Sequence, residues 1–403
     1  MSTEHASSDA GFSLLPEALP SAAESLIELA RRHIEPRIAR GGEPVAPERV
    51  PPFVRGLRGF FEGIVDATYD LPAARRRRRD ITVVRNVPWQ QCGDDASMLD
   101  VVRMRHAPGP QPAMLYIHGG GFAVCSKQTH EIFAHLYAQR GLTVFNTNYR
   151  LAPEARFPAA FQDVARALLW VLDHAHEFGA DPNRLVIAGE SAGANLTLAL
   201  VAAACFEIDD PLAGEIHARN PTIAAALPGC GVLQVSDAAR LWRENPRIHP
   251  VARRIMRGLE RAYLPDPAEG HGRPDLADPL VIFERRQPVR PLPPMFVYCG
   301  TADLLYPDSQ RLADAIVRPD TPHRFYSYEG GIHAFHALFW QPLARRCWRD
   351  KAAFLQRHVH GHTAQGQPAA QGQPAAQGQP AAQDRPAAQD RPAAQDRATR
   401  PAR

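Results

Sequence analysis

Lysine is almost missing from this chain: Lys127 and Lys351 are the only two in 403 residues. The remaining basic side chains are arginine, an excess that reads as the base composition of the coding DNA and not as a functional device. Net charge is only +3, so composition supplies no field that would gather nucleic acid or an anionic membrane. The six cysteines, Cys92, Cys125, Cys205, Cys230, Cys299 and Cys347, form no C-x-x-C pair. That speaks against zinc and dithiol redox motifs and leaves buried free thiols as the reading. No His/Cys cluster has metal-ligand spacing, so no metal is expected. No apolar run approaches a membrane span, which argues against stable membrane insertion. Met1 to Ala10 lack the basic start and apolar core of a secretory leader, and a cytoplasmic location is the expectation.

What is present is ordinary for a globular protein, with 45% hydrophobic and 22% charged residues. The ends differ from the middle. Residues 1–20 are small and polar and read as disordered. Apolar residues then recur at helical spacing from Ala22 to Ile38 and from Pro52 to Tyr69. Five consecutive arginines, Arg75 to Arg79, stand beside Asp80 and read as a solvated turn. From Gly366 a six-residue unit repeats, Gly-Gln-Pro-Ala-Ala-Gln and then Asp-Arg-Pro-Ala-Ala-Gln. A proline in each unit and no apolar face make 361–403 a tail that builds no core. His358, His360 and His362 alternate just before it and read as solvated.

Between these ends strands and helices alternate. Strands are expected at Ile81–Val87, Met98–Arg105, Ala113–His118, Thr143–Tyr149, Leu185–Gly189, Gly229–Val235, Met295–Gly300 and Arg324–Glu329. Helices are expected at Thr129–Gln139, Ala159–His176, Ala192–Cys205, Asp308–Val317 and Leu338–His358. This order predicts an α/β fold, a mostly parallel eight-stranded sheet with helices on both faces and an antiparallel start.

Gly189-Glu190-Ser191-Ala192-Gly193 joins an apolar strand to an Ala/Leu-rich helix. A serine at such a turn is forced into a strained conformation that exposes its hydroxyl. Unaided, that hydroxyl is a poor nucleophile, so a base, an acid and an oxyanion site must lie elsewhere. His118-Gly119-Gly120-Gly121-Phe122 follows another strand and can aim backbone N–H groups at one spot. Asp303 and His333 each follow a late strand, in the order Ser, Asp, His that this turn demands. His323 and His336 compete on composition alone; the glycine pair before His333 favours it.

Together these residues resemble the hormone-sensitive-lipase-like branch of the α/β-hydrolase fold, the carboxylesterases with an HGGG loop. The match extends to Tyr149-Arg150-Leu151-Ala152-Pro153-Glu154, Phe157-Pro158-Ala159-Ala160 and His333-Ala334-Phe335, over residues 80–355. Two departures stand out. Glu190 occupies a position that more often holds Asp or Thr. Leu304-Leu305-Tyr306-Pro307-Asp308 replaces the Pro-Leu-Arg-Asp pattern.

The resemblance implies a catalytic triad of Ser191, Asp303 and His333, with oxyanion donors Gly120, Gly121 and Ala192. It divides the chain into a disordered 1–20, N-terminal cap helices 21–75, a hydrolase core 76–233 and 291–360, and a cap insertion 234–290. Phe60, Phe61, Phe122, Leu241, Trp242, Met256, Leu259 and Tyr263 are the expected pocket residues. The implied function is hydrolysis of short- to medium-chain acyl esters, with a small-molecule ester as partner, no cofactor and a homodimer as an option. An amidase or acyltransferase with the same triad is one alternative. A non-catalytic receptor of the same fold is another, and the complete triad weighs against it.

Overall fold

The computed structural model describes residues 80–90, 95–246, 248–265, 275–317 and 323–361. The expected N-terminal tail, N-terminal cap helices, arginine run and repeat tail lie outside those residues, as do Phe60, Phe61 and Cys92. The strands are β1 Ile81–Pro88, β2 Met98–Met104, β3 Gln111–Ile117, β4 Thr143–Thr147, β5 Ala180–Glu190, β6 Ile223–Gly229, β7 Met295–Gly300 and β8 His323–Tyr328. The α-helices are α1 Glu131–Ala138, α2 Ala159–His174, α3 Ala192–Cys205, α4 Pro211–Arg219 and α5 Arg240–Glu244. They continue with α6 Pro250–Tyr263, α7 Pro279–Arg285, α8 Tyr306–Ala315 and α9 Pro342–Leu355.

All eight strands form one sheet in the order β1-β2-β4-β3-β5-β6-β7-β8. The β1–β2 and β2–β4 pairs are antiparallel and every other pair is parallel. Side chains of a strand alternate between its two faces. Leu115, Ile117 and Ile187 therefore enter one core with α2, α3 and α7, while Met114, Tyr116, Val186 and Ala188 enter another with α1 and α9. Covering both faces is what makes β3 and β5 near-continuous apolar runs. The edge strands β1 and β8 are less enclosed and expose residues such as Arg85 and Arg324.

Helix α3 follows the Ser191 turn, and every one of its residues is buried. It lies against β5 and β6 on one side and against α2, α4 and α7 on the others. An apolar surface all round is what such a site requires. Leu200, fully enclosed there, would cost about 2–5 kcal/mol if cut to alanine.

Two expectations fail. The strand expected at Gly229–Val235 is Ile223–Gly229 instead. Its alanine-rich sequence carries little β signal, yet it is enclosed between β5 and β7 and pairs there. Residues 232–235 mimic a strand in sequence because most of them are buried, but Val232 N donates to Ser191 O and carboxylates, not a neighbouring strand, take up the next N–H groups. Asp308 accepts from Leu233 and Gln234, and Asp278 from Val235 and Ser236. Helix α4 was not expected at all. Its N-cap Asp210 accepts from Ala213 N at 2.9 Å, Pro211 opens it and Asn220 closes it in a left-handed conformation. Only Ala213 and Ile216 are buried, too few for a readable period.

Candidate active site

Ser191 sits between β5 and α3 with φ 56° and ψ −117°, a strained conformation for a residue with a side chain. Its N–H donates to Gly229 O at 2.9 Å, which ties the turn to the end of β6. Glycine at 193 follows from packing: a Cβ there would lie 2.1 Å from the carbonyl oxygen of Ile117, at the end of β3.

His333 follows β8 and brings Nε2 to 3.2 Å from Ser191 Oγ. Its Nδ1 lies 2.8 Å from Asp303 Oδ2. An acceptor-only carboxylate at Nδ1 selects the tautomer with hydrogen on Nδ1, leaving the Nε2 lone pair facing the serine hydroxyl. Asp303, buried past the end of β7, also accepts from Leu305 N at 2.9 Å through Oδ1. The two loops are stitched together by Ala302 N to Gly331 O at 3.0 Å and Gly330 N to Thr301 Oγ1 at 2.8 Å. Burial would lower the pKa of His333, but the hydrogen bond and charge of Asp303, with the charge of Glu190 behind, raise it overall. The competing histidines lie elsewhere. His336 is buried against Tyr298, where desolvation pushes its pKa well down, and His323 opens β8 at the far end of that strand.

The loop after β3 turns back over Ser191. Gly120 has φ 112°, which only glycine adopts without strain. A Cβ on Gly120 would also meet Val124 O at 2.1 Å. Among the described residues the N–H groups of Gly120, Gly121 and Ala192 have no hydrogen-bond acceptor. The loop is anchored at its start: Gly119 N donates to Glu190 Oε1 at 2.8 Å, and Tyr149 Oη donates to His118 O at 3.0 Å.

Helix α6 lies over this loop. Leu259 Cδ1 is 2.9 Å from where a Cβ on Gly121 would be, and Tyr263 stacks on Phe122 with ring centroids 3.7 Å apart. Both rings are enclosed in the core, so they support the loop. Leu241, Trp242 and Met256 belong to the same buried cluster, and Arg257 lies over the Trp242 ring at 4.8 Å. Sequence reasoning missed the anchoring residues Glu190, Asp308 and Asn195, whose Nδ2 donates to Val232 O and Ala277 O. It also missed Cys230, which with Asp303 and His333 forms a sulfur, oxygen and nitrogen set within 4.8 Å. Burial, and then the charge of Asp303, push that thiol's pKa well up, so it is a protonated neighbour.

Comparison with known proteins bears on the family and the fold. The family model described as alpha/beta hydrolase fold matches residues 114–337. An acetyl esterase of Salmonella paratyphi B is 28% identical over 264 residues, covering 64% of this chain and 77% of that protein. The solved bacterial heroin esterase superposes with a TM-score of 0.61 at 23% identity, covering 76% of this chain and 92% of that one. An esterase from the bacterial hormone-sensitive lipase family does so with 0.59 at 22%, covering 85% and 99%. These two likenesses speak to the fold. With more than half of its length matched by that model, the chain belongs to the alpha/beta hydrolase fold family.

Proposed function

We propose that the chain is a serine carboxylesterase acting on small esters with short to medium acyl chains. The observation that carries this reading is the contact series Ser191 Oγ–His333 Nε2 at 3.2 Å and His333 Nδ1–Asp303 Oδ2 at 2.8 Å. In the first half-reaction Ser191 Oγ attacks the ester carbonyl carbon while its proton passes to His333 Nε2. The carbonyl π electrons move onto oxygen, and the N–H groups of Gly120, Gly121 and Ala192 receive that oxyanion. Asp303 stabilises the imidazolium. Collapse of the intermediate breaks the bond to the alcohol oxygen, which leaves with the proton from His333. Water then repeats the sequence on the acyl-enzyme and releases the acid.

The acetyl esterase relative supports a short acyl chain. Leu259, packed against Gly121, would border the acyl group and limit its length. A cap made by 234–290 and a cytoplasmic location belong to the same reading; so does a homodimer through β8 and its neighbouring helix α9. Triad geometry alone does not fix the leaving group, so an amidase or acyltransferase is the second reading. Rates on matched p-nitrophenyl esters and p-nitroanilides, from acetyl to palmitoyl, decide between them. An esterase turns over the short esters far faster than the anilides; equal or reversed rates overturn the ester assignment.

A further inference from the structure

Glu190 precedes the nucleophile, yet its side chain is buried beneath the loop that starts at His118. Its Oε1 accepts from Gly119 N at 2.8 Å and meets His130 Nε2 at 2.9 Å, while Tyr116 Oη donates to Oε2. The other ring nitrogen, His130 Nδ1, lies 2.7 Å from Thr129 Oγ1. That hydroxyl has one proton, and it points at the carbonyl oxygen of Ser126, 2.7 Å away. Ser126 N donates to Thr129 Oγ1 at 2.9 Å. Thr129 Oγ1 is therefore an acceptor toward His130, and Nδ1 must carry a hydrogen. Toward Glu190, which already takes two other donors, Nε2 must carry one as well. A ring that donates from both nitrogens is an imidazolium.

We propose that Glu190 and His130 are a buried carboxylate–imidazolium pair that holds Gly119, and with it the donors of Gly120 and Gly121, in position for the oxyanion. Both are positioning residues, and the proposal rests on the serine-esterase reading above. The surroundings fit a charged pair. Burial opposes the charge on Glu190, but His130, through charge and hydrogen bond, and the Tyr116 hydrogen bond outweigh it and lower the pKa overall. The groups facing the pair are Tyr116 on β3, His118 at its end, Phe133 on α1, His336 after β8 and Lys351 on α9. Burial, and then the charge of His130, push the pKa of His118 down to about 3; burial likewise pushes that of His336 well down. Both are neutral, and neither is bonded to Glu190. Glu131, the next residue, bonds instead to Arg85 and His135.

The role predicts a particular kinetic signature. Oxyanion donors act on charge that exists only in the transition state, so loosening them lowers kcat and spares KM. Glu190→Gln keeps an acceptor oxygen but no charge, and His130→Gln keeps a donor but no charge. Each should lower kcat on p-nitrophenyl acetate about tenfold to hundredfold, less than the loss of an entire donor. Affinity for a trifluoromethyl ketone, whose hemiketal oxygen occupies the same site, should fall in parallel, and the double variant should lose little more than either single one.

Imidazole ¹⁵N NMR of the unaltered protein near pH 7.5 reads the protonation state directly, whether or not the variants fold. Two protonated nitrogens at His130 are expected; a neutral ring there overturns the proposal. So do folded variants whose kcat and ketone affinity stay at the original values. Absence of ester turnover by the unaltered chain contradicts the esterase reading instead.

Discussion

Gly193 and Ile117 approach so closely that a single added carbon on the glycine would stand 2.1 Å from the isoleucine carbonyl oxygen. The Ser191 turn and the strand that leads into the glycine loop are thus fitted to each other through backbone atoms, which have little room to yield. Gly193→Ala should cost about 1–3 kcal/mol through overpacking. Activity should fall more than stability implies, by about a hundredfold, because a shift of ~1 Å between reacting groups is enough to do so. Thermal melts beside kcat measurements check this; an active, unshifted variant contradicts it.

The pH dependence of turnover follows from His333. The ring must be neutral at Nε2 to take the serine proton, and Asp303 raises its pKa above 6.5. As pH falls, kcat/KM should decline with a midpoint above 6.5. Asp303→Asn should move that midpoint down while lowering kcat by as much as about 10⁴. For stability the sign is opposite. The raised pKa stabilises the fold below 6.5, and that contribution is lost as pH rises through the folded value. A midpoint at or below 6.5 in the unaltered protein argues against the Asp303 contact.

Acid stability is controlled by different groups. His118 is held neutral in the fold, with its pKa depressed to about 3 first by burial and then by the charge of His130. The unfolded chain takes up that proton below 6.5, so stability should fall as pH drops from 6.5 toward 3. Glu190 adds to the loss as pH falls from 4.5 toward 2. Urea midpoints of the unaltered protein and His118→Asn between pH 8 and 4 test this. The variant should show the shallower decline, and parallel curves count against the assignment.

Asp308 and Arg240 form a pair enclosed between α8 and α5, with Arg240 Nη2 donating to both carboxylate oxygens. Asp308→Ala would strand a buried guanidinium and remove the acceptor of Leu233 N, at a cost of about 3–5 kcal/mol. Replacing both partners with apolar residues, Arg240→Met with Asp308→Leu, should cost less than the single change. Chemical denaturation of the three variants decides; a single variant within about 1 kcal/mol of the original would show the pair to be dispensable.

Much of this was legible before the structure. The strands around Leu115 and Ile187 stand out because burial on both faces leaves continuous apolar runs, and α3 because it is enclosed on all sides. Ser191 stands out because its strained turn is flanked by glycines, and Asp303 and His333 because each follows a late strand; the structure brings the three side chains together. The failures also have physical causes. β6 is alanine-rich and takes its structure from its neighbours, while residues 233–235 donate their N–H groups to distant carboxylates. The Glu190–His130 contact joins residues far apart in sequence through a loop whose path no local pattern reveals.

The central claim is that Ser191 is the nucleophile, activated by His333. The most direct test is mass spectrometry after treating the protein with a p-nitrophenyl alkylphosphonate. One adduct should form, on the peptide containing Ser191, with release of p-nitrophenol. It should be absent from Ser191→Ala and strongly slowed in His333→Ala. An adduct at another residue, or none on a folded protein, would contradict the account.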